Sequence, residues 1–153
     1  MSLHLGAVPA NIDDDITACV ADILGTDAIT SHTFPLAAAR AVTAHIDSSS
    51  SFVLIDVTGE VTSVSVVDRG TLRDTSTFAV GTHTMVRAVA HRFDISQRVA
   101  YSHIALVARG RADEATEKAV RSALATVDRT WNALLDRTLS DLASTHRVPT
   151  AVY

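Results

Sequence analysis

The chain has 153 residues, of which 47% are hydrophobic and 20% charged, and its formal net charge is −4 at pH 7. This length and hydrophobic content predict one globular domain, and an aromatic content of only 5% indicates a core of Ala, Val, Leu and Ile. The negative charge argues against nucleic acid as a partner.

The sequence also limits the cellular environment. No apolar run approaches the roughly 18 residues that a membrane span needs, and the N-terminus lacks a basic region followed by an apolar one. The single cysteine, Cys19, cannot form an internal disulfide, which is consistent with a reducing compartment. We therefore expect a cytoplasmic protein whose only membrane association would be peripheral and through a partner.

The N-terminal part is predicted to begin with a helix over residues 11–25. Residues 1–10 show no periodicity and are expected to be disordered or left over from cloning. Asn11 or Asp13 is the expected cap, Gly25 ends the helix, and one apolar stripe is expected to be buried: Ile16, Cys19, Val20, Ile23 and Leu24. The acidic run 13–15 complements the helix dipole; the alternative, a metal site, is disfavoured because consecutive side chains point in different directions.

A short strand is predicted over residues 27–33 and an Ala-rich helix over residues 36–45, with Pro35 in its first turn. The polar run 47–51 predicts a surface loop. The next stretch, residues 51–81, predicts the centre of the fold.

Within that stretch, residues 52–57 form an apolar, β-branched run that ends near a carboxylate, and residues 61–67 alternate apolar and hydroxyl side chains. Gly70 lies in a short connection where positive φ is needed, and residues 72–80 return as a more polar strand. The pattern predicts a three-stranded antiparallel meander.

Helical spacing then predicts three helices. The first covers residues 82–93 with Thr82 or Thr84 as its cap, and the second covers residues 95–109. Residues 113–146 predict one long helix or two abutting ones, since an unbroken helix would be roughly 50 Å long. Trp131 is expected in the core rather than at an interface.

The segment 54–62, Leu-Ile-Asp-Val-Thr-Gly-Glu-Val-Thr, resembles the second phosphate motif of the actin-like ATPase superfamily, which has a ribonuclease H-like fold. That motif runs hydrophobic residues, Asp, a branched residue, Gly, two or three residues and Thr. The bacterial cell-division and type IV pilus assembly proteins are the most similar branch. The neighbouring segments follow the family order as well: a small-residue helix before the motif, Gly70, Gly81 with its helix, and the final run 148–153.

The resemblance implies an α/β fold, a three-stranded antiparallel meander extended into a mixed sheet and flanked by helices. It also implies a cofactor site in which ATP phosphates lie against Asp56, Thr58, Gly59, Thr62 and Gly81, with His83 nearby. Asp56 would hold Mg²⁺ or its waters, and catalysis would consist of positioning and Mg²⁺ electrostatics. The alternative interpretation makes Asp56 a turn residue that accepts hydrogen bonds from loop amides.

Two departures from the motif bear on function. Thr58 replaces the first glycine and Thr82 the second glycine of the family's Gly-Gly pair, and β-branched residues resist both close phosphate approach and positive φ. Only one meander is present, so residues 1–153 are expected to be a single lobe. We therefore expect a non-catalytic or weakly nucleotide-binding scaffold that works through a protein partner or self-association; the alternative is the ATP-binding lobe of an ATPase whose second lobe is missing.

No other chemistry is indicated. The seven histidines show no zinc-ligand spacing, and no Gly-x-Ser-x-Gly turn is present to expose a nucleophile. No catalytic residue is assigned, and no turnover is expected of this chain by itself.

Overall fold

A three-stranded antiparallel meander forms the centre of the fold, as predicted. This computed structural model describes residues 9–26, 28–47 and 49–153. The strands are β1 (Phe52–Val57), β2 (Thr62–Asp68) and β3 (Thr71–Phe78), and they lie in that order. Arg69 and Gly70 join β2 to β3 with φ angles of 49° and 70°, the left-handed pair that a tight two-residue hairpin requires.

The C-terminal segment extends this sheet. The amide of Val53 donates to the carbonyl of Ala151 at 2.8 Å, and the amide of Tyr153 donates to the carbonyl of Val53 at 2.9 Å. The bridge between Val53 and Val152 is parallel, whereas the meander is antiparallel. The predicted extension into a mixed sheet is confirmed.

Helices precede and follow the meander. They are α1 (Ala10–Leu24), α2 (Phe34–Thr43), α3 (Thr82–Phe93), α4 (Gln97–Ala108) and α5 (Glu114–Thr145). The last is a single unbroken helix of 32 residues, which decides between the two possibilities left open for this segment. Asp113 caps it by accepting a hydrogen bond from the amide of Thr116 at 2.9 Å. No helix in the described ranges is both long enough and apolar enough to cross a membrane.

The two faces of the sheet pack on different helices because side chains alternate along a strand. One face packs against α3 and α5 and includes Val53, Val64 and Val66. Phe52 and Val67 lie on the other face, where they pack against Ala39 of α2. A third cluster joins α3, α4 and α5, and its buried members are Val86, Val89, Ala100 and Val120.

Several local predictions were wrong. The helix α1 has no buried side chain, so its apolar stripe lies on the surface, and Cys19 is exposed rather than in the core. Residues 28–33 form no strand, because no strand of the sheet pairs with them; residue 27 is outside the described residues, as are residues 1–8 of the segment expected to be disordered. The expected side-chain caps of α1 and α3 are also absent, with Pro9 and Gly81 in the cap positions.

Candidate functional site

The loop between β1 and β2, residues 58–61, packs directly against the start of α3. The amide of Thr82 donates to the carbonyl of Thr58 at 2.9 Å, and the amide of His83 donates to the carbonyl of Gly59 at 2.8 Å. The hydroxyl of Thr82 adds a 3.2 Å bond to the same Thr58 carbonyl. Two of the free amides with which every helix begins are therefore bound by this loop, which we call the 58–61 loop.

Gly81 allows this approach. A Cβ at this position would lie 2.5 Å from the carbonyl oxygen of Thr58 and 2.6 Å from that of Gly59. Its backbone is extended, with φ of −142°, so any residue tolerates the conformation and only space demands glycine. Gly81, which the resemblance placed beside the ATP phosphates, thus has a role here in packing the loop against the helix.

Glu60 places a carboxylate beside the start of α3. Its carboxylate accepts two hydrogen bonds from the guanidinium of Arg87, at 2.9 and 3.0 Å, and lies 3.1 Å from Nδ1 of His83. The bonds from Arg87, and after them the bond from His83, lower the pKa of Glu60 from its ordinary 4.5 to about 2. The start of α3 is therefore covered by a carboxylate that stays ionised.

Thr58 holds the turn without backbone strain. Its amide and its hydroxyl both donate to the carbonyl of Val61, at 2.9 and 3.0 Å. In the described ranges the only non-glycine residues with positive φ are Arg69 and Asp94. Threonine at this position is therefore compatible with the conformation that the loop adopts, because the loop does not require positive φ there.

Thr62 lies inside the protein. It is fully buried, and its hydroxyl donates to the carbonyl of Val80 at 2.7 Å while accepting from the indole nitrogen of Trp131 at 3.0 Å. The ring of Trp131 also packs edge-on against Phe78, with centroids 6.3 Å apart. Trp131 is thus part of the core, and both hydrogen-bonding directions of the Thr62 hydroxyl are used by the protein.

Asp56 lies near the end of β1 on the face that also carries Phe52 and Leu54. Across the sheet its row continues with Ser63 and Thr77, whose hydroxyls are 3.1 Å apart. Nothing in the described part of the chain hydrogen-bonds or pairs with its carboxylate, so the interpretation of Asp56 as a turn residue held by loop amides was wrong. Within that part, no group of three His, Cys, Asp or Glu side chains could hold a metal.

The structure thus brings Thr58, Gly59 and Gly81 together, leaves Asp56 on a strand beside them and buries Thr62. Sequence reasoning missed Glu60 and Arg87 as members of this cluster. The two are 27 positions apart and lie on different elements, so no local spacing could have paired them. The only available signal was a carboxylate inside the resembled motif.

Comparison with known proteins identifies the architecture. No family model and no curated protein matches the sequence. A solved structure of a PilM-PilN type IV pilus biogenesis complex is similar with a TM-score of 0.70 and 14% identity, over 92% of this chain and 40% of that one. The ethanolamine utilization protein EutJ from Carboxydothermus hydrogenoformans is similar with a TM-score of 0.66 and 18% identity, over 99% of this chain and 50% of that one.

The chain therefore spans half or less of the length of these two structures. At 14% and 18% identity the similarity concerns the fold alone. It agrees with the likeness noted in the sequence, which was carried by the 54–62 motif and by the order of the segments around it. The chain has the fold of one lobe of an actin-like protein.

Proposed function

We propose that this chain is a scaffold that binds another protein, of the kind that serves cell division or pilus assembly, and that it does not depend on nucleotide turnover. The observation that carries the proposal is the exposed apolar stripe of α1. Its residues Ile12, Ile16 and Ile23 are 44%, 57% and 73% exposed. Large apolar side chains aligned on one exposed face are typical of a binding surface.

The charges of α1 indicate the chemistry of the partner. Every charged residue of this helix is acidic: Asp13, Asp14, Asp15 and Asp22. An apolar stripe bordered by carboxylates fits a groove that is apolar at its base and has Lys or Arg at its rim. One of the similar structures is a complex of two proteins, PilM and PilN, and this supports a partner-binding role.

The contacts of the 58–61 loop support a scaffold over an ATPase. A phosphate at the start of α3 would need its amides, but those of Thr82 and His83 already bond to loop carbonyls. The Glu60 carboxylate pairs with the guanidinium of Arg87 there, so this cation is already engaged and is not free to bind a phosphate. The residues at this helix start do not fit ATP in the arrangement described, so we derive no reaction step from a nucleotide.

The second candidate is the ATP-binding lobe of an actin-like ATPase. The unpaired carboxylate of Asp56 favours it, because an aspartate at a strand end beside Ser63 and Thr77 is available to hold a hydrated Mg²⁺. For ATP phosphates to reach the amides at the start of α3, the 58–61 loop would have to move away from that helix.

Calorimetric titration with Mg-ATP separates the two candidates. Under the scaffold proposal we expect no binding heat from the wild-type chain. Micromolar binding that is lost in Asp56→Ala, and kept in the control Asp128→Ala on the exposed side of α5, would overturn the proposal in favour of the ATP-binding lobe.

The partner surface has its own test. We expect affinity capture with the wild-type chain to retain a protein that the double variant Ile16→Asp, Ile23→Asp loses. The double variant Ser122→Asp, Ser140→Asp introduces the same two charges at exposed positions of α5 and is the matched control. Equal capture by all three chains would rule out α1 as the binding surface.

A further inference from the structure

A second polar site lies at the opposite end of the sheet from the 58–61 loop. There a cleft of about 780 Å³ is lined by Ser51, Asp68, Arg69, Arg73, His146 and Arg147, with Val66. A neighbouring cavity of about 350 Å³ shares Ser51, Asp68 and Arg147 with it. The two cavities are therefore adjacent, and Arg147 borders both.

The charges of the cleft are unbalanced. Three guanidinium groups line it against one carboxylate, which leaves an excess of two positive charges even with His146 neutral. This excess is local, since the chain as a whole carries a net charge of −4. An anion is therefore drawn to this part of an otherwise negative protein.

Existing contacts use only part of this positive charge. The Asp68 carboxylate is 3.0 Å from Nη2 of Arg73 and 3.6 Å from Nε of Arg69. It also accepts a hydrogen bond from the Ser51 hydroxyl at 3.0 Å, so the loops on both sides of the cleft are tied to it. His146 is engaged outside this group, 3.1 Å from the Asp74 carboxylate.

Arg147 is the arginine of the cleft that does not pair with Asp68. In the described part of the chain its exposed guanidinium has no ion pair or hydrogen bond, although Arg69 and Arg73 lie across the same cleft. A guanidinium presents its donors in a planar fork that matches phosphate and carboxylate oxygens. The larger cleft has one apolar lining residue, Val66, and no Phe, Tyr or Trp side chain on which a nucleobase could stack.

We propose that this cleft binds a small dianion, a phosphate or dicarboxylate group, with Arg147 as its main ligand and Arg69 as the second. The site is independent of the start of α3, because Ser51 precedes β1 whereas the 58–61 loop follows it. It extends the scaffold proposal by adding a second ligand, a small dianion, at a site separate from the surface of α1.

Titration calorimetry of the full chain with pyrophosphate at low salt tests the proposal. We expect saturable binding that Arg147→Gln weakens by about tenfold or more, the effect of losing one charged hydrogen-bonding group. The control Arg121→Gln makes the same change on an exposed residue of α5 that pairs with Glu117 at 2.7 Å, and it should bind like the wild type. Malonate in place of pyrophosphate distinguishes a dicarboxylate from a phosphate ligand.

Several outcomes would overturn it. One is the absence of saturable binding of both anions up to millimolar concentrations. Another is equal weakening by Arg147→Gln and Arg121→Gln, which would mean non-specific attraction. A third is binding that Arg87→Gln abolishes and Arg147→Gln leaves unchanged, since the anion would then lie at the start of α3. Thermal unfolding of each variant shows whether a loss of binding reflects a loss of fold.

Discussion

The indole nitrogen of Trp131 donates a hydrogen bond to the hydroxyl of Thr62 across 69 positions of sequence, at 3.0 Å. It ties the middle of α5 to the first residue of β2. The same hydroxyl donates a hydrogen bond to the carbonyl of Val80, the residue immediately before Gly81. The position of the candidate site is thus fixed in part from inside the core.

The variant Thr62→Val tests this connection. It keeps the shape of the side chain but leaves the Trp131 N–H and the Val80 carbonyl without their partner inside the protein. We expect the free energy of unfolding to fall by about 1–3 kcal/mol, the cost of burying an unsatisfied polar group. Thr62→Ser keeps the hydroxyl and should retain more stability in denaturant titrations; a Thr62→Val chain as stable as wild type would contradict the role given to this bond.

Gly81→Ala tests the packing of the 58–61 loop on α3. The added methyl would meet backbone oxygens at 2.5 and 2.6 Å, which cannot move without separating loop and helix. We expect a loss of about 1–3 kcal/mol in unfolding free energy. The matched control is Gly59→Ala, whose methyl would meet the His83 ring at 2.7 Å; that side chain is 60% exposed and can turn away. An equal loss in both variants would contradict the argument.

Glu60 predicts a dependence of stability on pH. Its pKa is lowered to about 2 in the folded chain from an ordinary 4.5, first by the hydrogen bonds from Arg87 and then by the bond from His83. Because the pKa is lower in the folded chain than in the unfolded one, ionised Glu60 contributes its whole stabilisation above pH 4.5. This contribution is lost as the pH falls towards 2 and the carboxylate becomes protonated.

We expect the carboxyl carbon of Glu60 to titrate in NMR with a midpoint well below 4.5. Thermal melts of Glu60→Gln should also depend less steeply on pH over this range than wild-type melts. Other carboxylates titrate in both chains, so the difference between them isolates Glu60. A midpoint near 4.5 would show that the contact with Arg87 does not persist in solution.

The parallel C-terminal segment predicts a pattern of hydrogen exchange. The amide of Ile55 donates to the carbonyl of Tyr153 and the amide of Tyr153 to the carbonyl of Val53, both at 2.9 Å. Val152 is 58% exposed, and its amide donates no such bond to the described part of the chain. We expect slow exchange at Ile55 and Tyr153 and fast exchange at Val152. Tyr153→Pro should speed up exchange at Ile55 by removing the neighbouring bond, while Val152→Pro should not.

Because α1 is exposed, truncating an apolar side chain on it should cost less stability than truncating one in the core. Ile16→Ala should change the free energy of unfolding by no more than about 0.5 kcal/mol, since a side chain that is 57% exposed has little packing to lose. Val120→Ala, at a fully buried position, should cost about 1–3 kcal/mol. A large effect of Ile16→Ala would indicate that α1 is buried in solution.

The sequence allowed prediction of the meander because its strands are adjacent and their connections carry local signals, such as Gly70 after β2. It did not show that the apolar face of α1 is exposed. A periodic stripe of Ile16, Cys19 and Ile23 identifies an apolar helix face, but it does not identify the element that would cover that face. The resembled phosphate motif was found for the same local reason. Its contacts depend on Gly81 and Arg87, which only the fold brings to it.

The unbroken course of α5 couples regions that would otherwise unfold separately. Its residue Val120 belongs to the cluster with α3 and α4, and Leu142 belongs to the cluster beneath the sheet. Because one helix of 32 residues, about 48 Å long, packs in both clusters, losing its contacts in one cluster weakens its hold on the other. The helical layer and the sheet should consequently lose their structure in one cooperative transition.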